Sequence, residues 1–430
     1  MTIKLEFSRW APALLALALA AGQLSAQQTT KLDTTNFIVM GEGLGAGMAD
    51  FALRDVYQNY SFGAQMAAIM HTAFPQPIIQ SPGIGSAPGF PVIPVRLPGT
   101  AQGSVRNDFP PQLFIFNLSV PGLTLADSLG QRPSSPLIQQ SNPQQTVINM
   151  TLGYPALIAG ANLPLWTQTE YAEAMNPTFV IVELGYYDVL EPAVNNNPAA
   201  LPDPATFQAN LTTLLKRVGA SYPQIIVMTV PNPFDTAFFT PVTSATQYVG
   251  ASVADLERIY KVQSTDLLTP NGLALVGGLI LENDVGQLLN PLFPGLGAYF
   301  PGTVVSAATQ AAVQANVQAL NTAIASAASA AGAHVYDLQG LFSRVHSQGL
   351  QVGSSTLTAQ FLGGFYSLDG YYPGVTGQGL IANELLTMVN KTYNTSYPLV
   401  DLTTLILNDP VAGFTPNNNP NGLARKGRTR

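Results

Sequence analysis

The sequence predicts an α/β fold, a parallel sheet of about five strands flanked by helices on both faces. Three observations predict it. Apolar runs of strand length alternate with stretches of helical period along most of the 430 residues. The run Thr178–Leu184 (Thr-Phe-Val-Ile-Val-Glu-Leu) is almost continuously apolar, as strands buried on both faces are, and lies between Asn176-Pro177 and Gly185. Finally, Asn36–Met40 leads straight into the glycine-rich turn Gly41-Glu-Gly-Leu-Gly-Ala-Gly47, after which a helical pattern resumes at Met48. Such a strand–turn–helix unit puts its turn at the carboxyl end of a sheet strand, where ligands and catalytic groups gather.

The elements follow in order. The N-terminus reads as a secretory signal: Lys4 and Arg9 form a positive region, Ala11 to Ala21 an apolar core, and Leu24-Ser25-Ala26 a cleavage site. Residues 1–26 are therefore expected to be removed, and the mature chain to be exported to a periplasm or beyond the cell. Pro75 to Pro98 and Pro133 to Gln145 are proline-punctuated loops. Gln112–Ser119 reads as a buried strand ending in Val120-Pro121-Gly122, with a helix starting near Thr124. Asp203-Pro204 opens a helix with a carboxylate cap and proline at its first position, and the stripe Phe207, Leu211, Leu214, Leu215, Val218 carries it to Gly219.

Gln224–Val230 is the next strand. Residues 234–301 show no clean period and many Gly and Pro, and are expected to be an insertion or cap. Ser306 to Ala331 is a long Ala- and Gln-rich helix with Gly332 as terminator, and Ala333–Leu338 is a strand. Thr376 is expected to cap the final helix of a main domain spanning 27–400. The remaining 401–430 form an extension whose Asn-, Pro- and Arg-rich end is expected to lack order.

Composition excludes several classes of function. With no cysteine, there are no disulfides, thiolate metal sites or cysteine nucleophile. A net charge of −7 and only 10% charged residues argue against nucleic-acid binding, which needs a basic face. No apolar run beyond the signal approaches the roughly 20 residues of a spanning helix. The glycine turn lacks both the Gly-x-Gly-x-x-Gly order of a dinucleotide site and the lysine of a P-loop, and no His-x-x-x-His pair suggests a metal. No cofactor is therefore expected. His71, His334 and His346 are scattered and read as structural or surface residues.

Four stretches together resemble the SGNH or GDSL hydrolases, esterases and lipases on a three-layer, flavodoxin-like fold. Gly41-Glu42-Gly43-Leu44-Gly45-Ala46-Gly47 resembles the block Gly-Asp-Ser-Leu-x-x-Gly. Asn117 to Gly122 is similar to the block that ends in the oxyanion-hole glycine, with Gly122 in that position. Gly185-Tyr186-Tyr187-Asp188 resembles Gly-x-Asn-Asp, and Asp369-Gly370-Tyr371-Tyr372-Pro373 resembles Asp-x-x-His-Pro. The resemblance spans Asn36 to Asn390 and looks closest to long exported bacterial members.

It also implies a loss. The nucleophilic serine position holds Gly43, the oxyanion asparagine position Tyr187, and the general-base histidine position Tyr372. Gly122 and the orienting Asp369 remain. In acyl transfer a hydroxyl attacks the carbonyl while histidine takes its proton, and Gly43 has no side chain with which to attack. Loss of a single oxyanion donor alone typically costs about 10²–10³ in rate.

Glu42 could act as a base toward water, but the reading favoured here is that it accepts turn hydrogen bonds. Tyr372 is expected to fill the imidazole volume, Tyr187 the oxyanion pocket, and Asp188 to be a hydrogen-bonded turn residue. A ligand cleft is expected from Glu42, Gly43, Gly122, Tyr187, Asp188, Asp369 and Tyr372, with the two tyrosines as an apolar lining.

The expectation is an exported, non-catalytic binding protein for an acyl, lipid or glycan ligand. Two alternatives stand beside it. One is an active ester hydrolase using Glu42, Asp369 or a loop serine such as Ser61 or Ser119. The other is a surface-assembly protein with the 234–301 insertion at its interface.

Overall fold

The computed structural model describes residues 31–81, 83–84, 106, 114–139, 141–154, 156–159, 164–281 and 293–409. The signal segment 1–26 and the tail 410–430 lie outside the described residues. Strand β1 (Phe37–Gly41) is wholly buried and pairs in parallel with β2 (Phe179–Glu183), from Phe37 opposite Phe179 to Gly41 opposite Glu183. β2 pairs in parallel with β3 (Gln224–Met228). Further along lie the short strands β4 (Thr240–Pro241), β5 (Leu267–Leu268) and β6 (Val304–Val305), which form an antiparallel sheet of their own. The main sheet is completed by β7 (His334–Tyr336), parallel to β3, giving the order β1-β2-β3-β7.

The parallel sheet therefore has four strands rather than about five. Of the segment expected as a strand over Gln112–Ser119, residues 112–113 lie outside the described residues, and 114–119 run beside the free edge of β1. Val39 N donates to Phe116 O (3.0 Å), Leu118 N to Val39 O (2.9 Å) and Val120 N to Gly41 O (3.1 Å). It registers only as an isolated parallel bridge between Val39 and Asn117. The reason lies in a side chain: the Leu118 carbonyl that would extend the ladder accepts instead from Gln168 Nε2 (2.9 Å), which also donates to Gly41 O (2.8 Å). Counting this segment, the second stretch of chain lies outside the first, so strand order reverses at β1. In doubly wound sheets that is where sites form.

Helices flank the sheet as the apolar stripes require. Helix α1 (Gly43–Ala46) is a single turn and α2 (Phe62–Met70) starts at a Ser61 cap. The helical pattern expected from Met48 is thus not continuous. Gly47 is left-handed (φ 73°) and closes α1, and Asp50 and Phe51 also take positive φ, so the chain loops before α2 begins. Helix α3 (Gln168–Ala174) opens with a capping box of Thr167 and Glu170. Helix α4 (Tyr186–Val194) follows β2.

Helix α5 (Pro204–Val218) has the expected Asp203 cap and packs along α6 (Ala307–Ala331), which Gly332 ends in the left-handed conformation. Helix α7 (Val375–Tyr393) packs on α2. Its cap residue is Gly374, not Thr376. The capping acceptor comes from Asp409, whose Oδ2 accepts from Thr376 N (2.8 Å) and Thr376 Oγ1 (2.7 Å). The extension after residue 400 accordingly includes a short helix, Leu402–Asn408. The loop expected over Pro133 to Gln145 also gives way to a helix, Pro143–Ile148, capped by Asn142.

Residues 234–301 hold more regular structure than their sequence suggests. Helices Val242–Val249, Val253–Tyr260 and Pro270–Leu281 gather with β4–β6 around a second apolar cluster that includes Val242, Leu256, Tyr260, Leu268 and Leu296. No helix of the described residues is long and apolar enough to cross a membrane.

Candidate functional site

The site is the turn after β1, and one residue from the neighbouring strand organises it. Glu183 closes β2, an otherwise apolar strand, and turns its carboxylate into the loop. Its Oε2 accepts from Glu42 N (3.1 Å) and Gly45 N (2.9 Å). A Cβ on Gly45 would lie 3.0 Å from that oxygen and 2.6 Å from Ser119 Oγ, and one on Gly41 would lie 2.6 Å and 3.0 Å from the same two atoms. The alternation of glycines thus lets a buried carboxylate approach the backbone. A Cβ at either position would displace it.

Glu42 is buried and caps α1, accepting from Leu44 N at Oε1 (3.1 Å). Its other oxygen, Oε2, accepts the hydroxyl proton of Tyr372 in a short hydrogen bond. Tyr372 is also buried and reaches Glu42 across Gly43, where a Cβ would overlap both Cζ and OH of the tyrosine. Residues 43 and 372 therefore interlock, and any side chain on the first collides with the ring of the second.

Asp369 sets the loop that presents Tyr372. Its Oδ1 accepts from Tyr371 N (3.0 Å) and Tyr372 N (2.9 Å), while Ser367 N closes the loop on Tyr372 O (2.9 Å). A second tie joins this loop to the segment after α1: Asp50 N donates to Ser367 Oγ (3.0 Å) and Leu368 N to Asp50 Oδ1 (2.9 Å). Arg54 Nη2 (2.7 Å) and the Tyr57 hydroxyl donate to the other oxygen of Asp50. The Tyr372 ring stands edge-on to those of Tyr371 (4.7 Å) and Tyr186 (6.2 Å), and the Tyr186 hydroxyl donates to Tyr371 O (3.2 Å).

The remaining expected residues lie at the margins. Gly122 occupies a left-handed turn position (φ 76°), two residues beyond the Val120 that bonds Gly41. Tyr187 is buried at the start of α4. Burial, followed by the charges of Glu191 and Glu42, raises its hydroxyl above the usual range. Asp188 Oδ2 accepts from Leu125 N (3.0 Å), and desolvation raises its carboxyl.

Ser61 is spent as the cap of α2 and donates to Gln76 Oε1 (3.2 Å), whereas the buried Ser119 Oγ has no hydrogen-bond partner among the described residues. His71 caps the end of α2, the His334 ring lies against Tyr393 (5.7 Å), and His346 ends helix Leu338–Gln348, near Asp235. No hydrogen bond among the described residues joins any of them to Glu42.

Burial dominates the electrostatics. It pushes Glu42 up to about 7 against the opposing hydrogen bond from Tyr372. Burial and then the neighbouring Glu42 charge hold Glu183 well above the carboxylate range. Burial also lifts Asp369 to about 7. Shifts of this kind often mark acid–base sites. Here, though, the four residues Glu42, Glu183, Asp369 and Tyr372 are each at most 2% exposed, and each is hydrogen-bonded to protein groups. Among the described residues no group of three or more His, Asp or Glu could hold a metal ion.

Glu183 was the residue missed in the sequence. Its signal was present, since a carboxylate ending a doubly buried strand must find donors. What it would reach was not readable.

No family model matches the chain, and no curated protein matches it. Among solved structures, one titled "Crystal Structure of TesA" aligns over 83% of this chain and 98% of its own, with 10% identity and a TM-score of 0.33. At that distance the likeness carries no argument about the site.

Proposed function

We propose that this is an exported, SGNH/GDSL-hydrolase-like protein on a flavodoxin-like sheet that performs no acyl transfer, its former catalytic centre serving as a hydrogen-bonded core. One observation carries the reading: the Tyr372 ring occupies the space into which a nucleophile at position 43 would project. The same ring ties up Glu42, the carboxylate nearest that position, so the substitutions at 43 and 372 support one another.

A binding role toward an acyl, lipid or glycan ligand follows from the resemblance alone. Glu42, Gly43, Asp369 and Tyr372 are closed to solvent, which disfavours these residues as the seat of such a ligand. Export follows from the N-terminal signal pattern.

The test is an ester-hydrolysis assay on the purified protein with acyl esters of several chain lengths, together with a serine-reactive phosphonate. No turnover above blank and no labelling is the expected result. Turnover that disappears in Glu42→Gln, or a label on Ser61 or Ser119, would overturn the proposal.

A further inference from the structure

Two carboxyl groups, Glu42 and Glu183, lie buried against each other at the heart of the turn, and neither has an ion-pair partner among the described residues. The groups facing them come from three elements. The 366–374 loop brings Tyr371, Tyr372 and Asp369; the start of α4 brings Tyr186, Tyr187 and Asp188; and the segment beside β1 brings Ser119. All are neutral or acidic. Two bare carboxylates buried side by side without a cation would each lose their hydration uncompensated and repel each other besides.

The donors decide where a proton must sit. Both oxygens of Glu42 are acceptors, Oε1 from Leu44 N and Oε2 from the Tyr372 hydroxyl. Glu183 receives its two backbone N–H groups on Oε2 alone, leaving Oε1 to carry hydrogen. The Glu183 carboxyl lies on the backbone of Glu42 and the two side chains act on each other, an arrangement that one proton between them satisfies. We infer that Glu183 stands in the folded protein as a neutral carboxylic acid donating to the Glu42 carboxylate. This shared proton is then the latch that holds the 41–47 turn against β2 and, through Tyr372, against the 366–374 loop.

The latch binds a proton that the unfolded chain releases once pH exceeds about 4.3, the ordinary glutamate value. Its contribution is complete below that pH. It is lost as pH rises toward the raised value in the fold, with the folded-to-unfolded ratio falling by up to about tenfold per pH unit. Glu183→Gln keeps the shape and a donor but cannot ionise, so it removes this share of the pH dependence while leaving a neutral partner for Glu42.

The experiment is carboxyl-carbon NMR of the whole protein with glutamate-selective ¹³C labelling, combined with denaturant unfolding from pH 5 to 8. The labelling leaves the raised aspartates Asp188 and Asp369 silent. A glutamate carboxyl in the protonated position at pH 7, absent from Glu183→Gln, and a pH slope flattened by one proton in that variant are the expected results. Overturning results are every glutamate carboxyl ionised at pH 7, or a folded Glu183→Gln with the wild-type slope. If that variant does not fold, Glu42→Gln decides instead: a glutamate carboxyl still protonated at pH 7 supports the assignment to Glu183, and its disappearance assigns the proton to Glu42 and overturns the proposal.

Discussion

Gly43 and Tyr372 fit each other so closely that a single added carbon on the glycine would overlap the tyrosine Cζ and hydroxyl. Both are buried, and Tyr372 is hydrogen-bonded to Glu42, the residue preceding the glycine. A tyrosine there is tolerated only because position 43 is bare, and position 43 can be bare without leaving a void because the tyrosine fills it.

Gly43→Ser alone should therefore destabilise the fold by about 1–3 kcal/mol, the usual cost of overpacking. Tyr372→Phe should cost about 1–3 kcal/mol by a different route, since it strips a donor from the buried Glu42. Adding Tyr372→His to Gly43→Ser should recover part of the penalty of the first substitution. A double-mutant cycle in denaturant would reveal a coupling of about 0.5 kcal/mol or more, whereas additive penalties would mean the two positions do not interlock.

Rebuilding all three altered positions tests the alignment of the sequence blocks. Gly43→Ser with Tyr187→Asn and Tyr372→His should give a folded protein whose introduced hydroxyl at position 43 reacts, however slowly, with a phosphonate probe. Asp369 already holds the loop that presents position 372. A folded triple variant that takes no label would show that these residues do not meet as the resemblance implies.

Asp369→Ala should destabilise the protein by an amount on the order of 3 kcal/mol, because two buried N–H groups, those of Tyr371 and Tyr372, lose their acceptor. Asp369→Asn retains a side-chain oxygen and should cost less. Its signature is in the pH profile. The wild-type carboxyl, raised to about 7 by burial, contributes stability that is complete below its ordinary value near 3.9 and is lost as pH rises through neutrality. Unfolding midpoints measured from pH 4 to 8 should accordingly fall less steeply in Asp369→Asn than in wild type.

The capping of α7 from the C-terminal extension gives another test. Gly374 offers no side chain, so Thr376 N depends on Asp409, 33 residues away. Asp409→Ala should cost about 1–2 kcal/mol, as the loss of a good cap does, and Asp409→Asn should cost less. Hydrogen exchange should show faster opening in the first turn of α7. Unchanged protection there would mean the helix start is held by its packing alone.

Parts of the structure governed by neighbouring residues were legible in the chain itself. Asp203 followed by Pro204 announces the start of α5, and Gly332 announces the end of α6. The apolar run Phe179–Val182 announces a central strand, since only side chains buried on both faces dispense with alternation. The glycines at 41, 43, 45 and 47 announced a tight turn at the carboxyl edge of the sheet. The one-turn α1 is not legible in the chain, where 41–47 reads as turn alone, because Gly43 and Gly45 are poor helix formers and the caps that hold them helical come from the Glu42 side chain and the left-handed Gly47.

Tertiary structure alone decided what the turn contains. Glu42 meets Glu183 across 141 positions and Tyr372 across 330, distances at which no local pattern carries information about contact. The same is true of Gln168 reaching the Gly41 and Leu118 carbonyls, which limits the segment beside β1 to a single bridge. The sequence by itself determined that a turn would stand at the end of β1 and that its residue 43 carries no side chain. The fold determined that the space beside Gly43 is filled by the Tyr372 ring, because a buried cavity forfeits packing and a buried carboxylate without donors is too costly to persist.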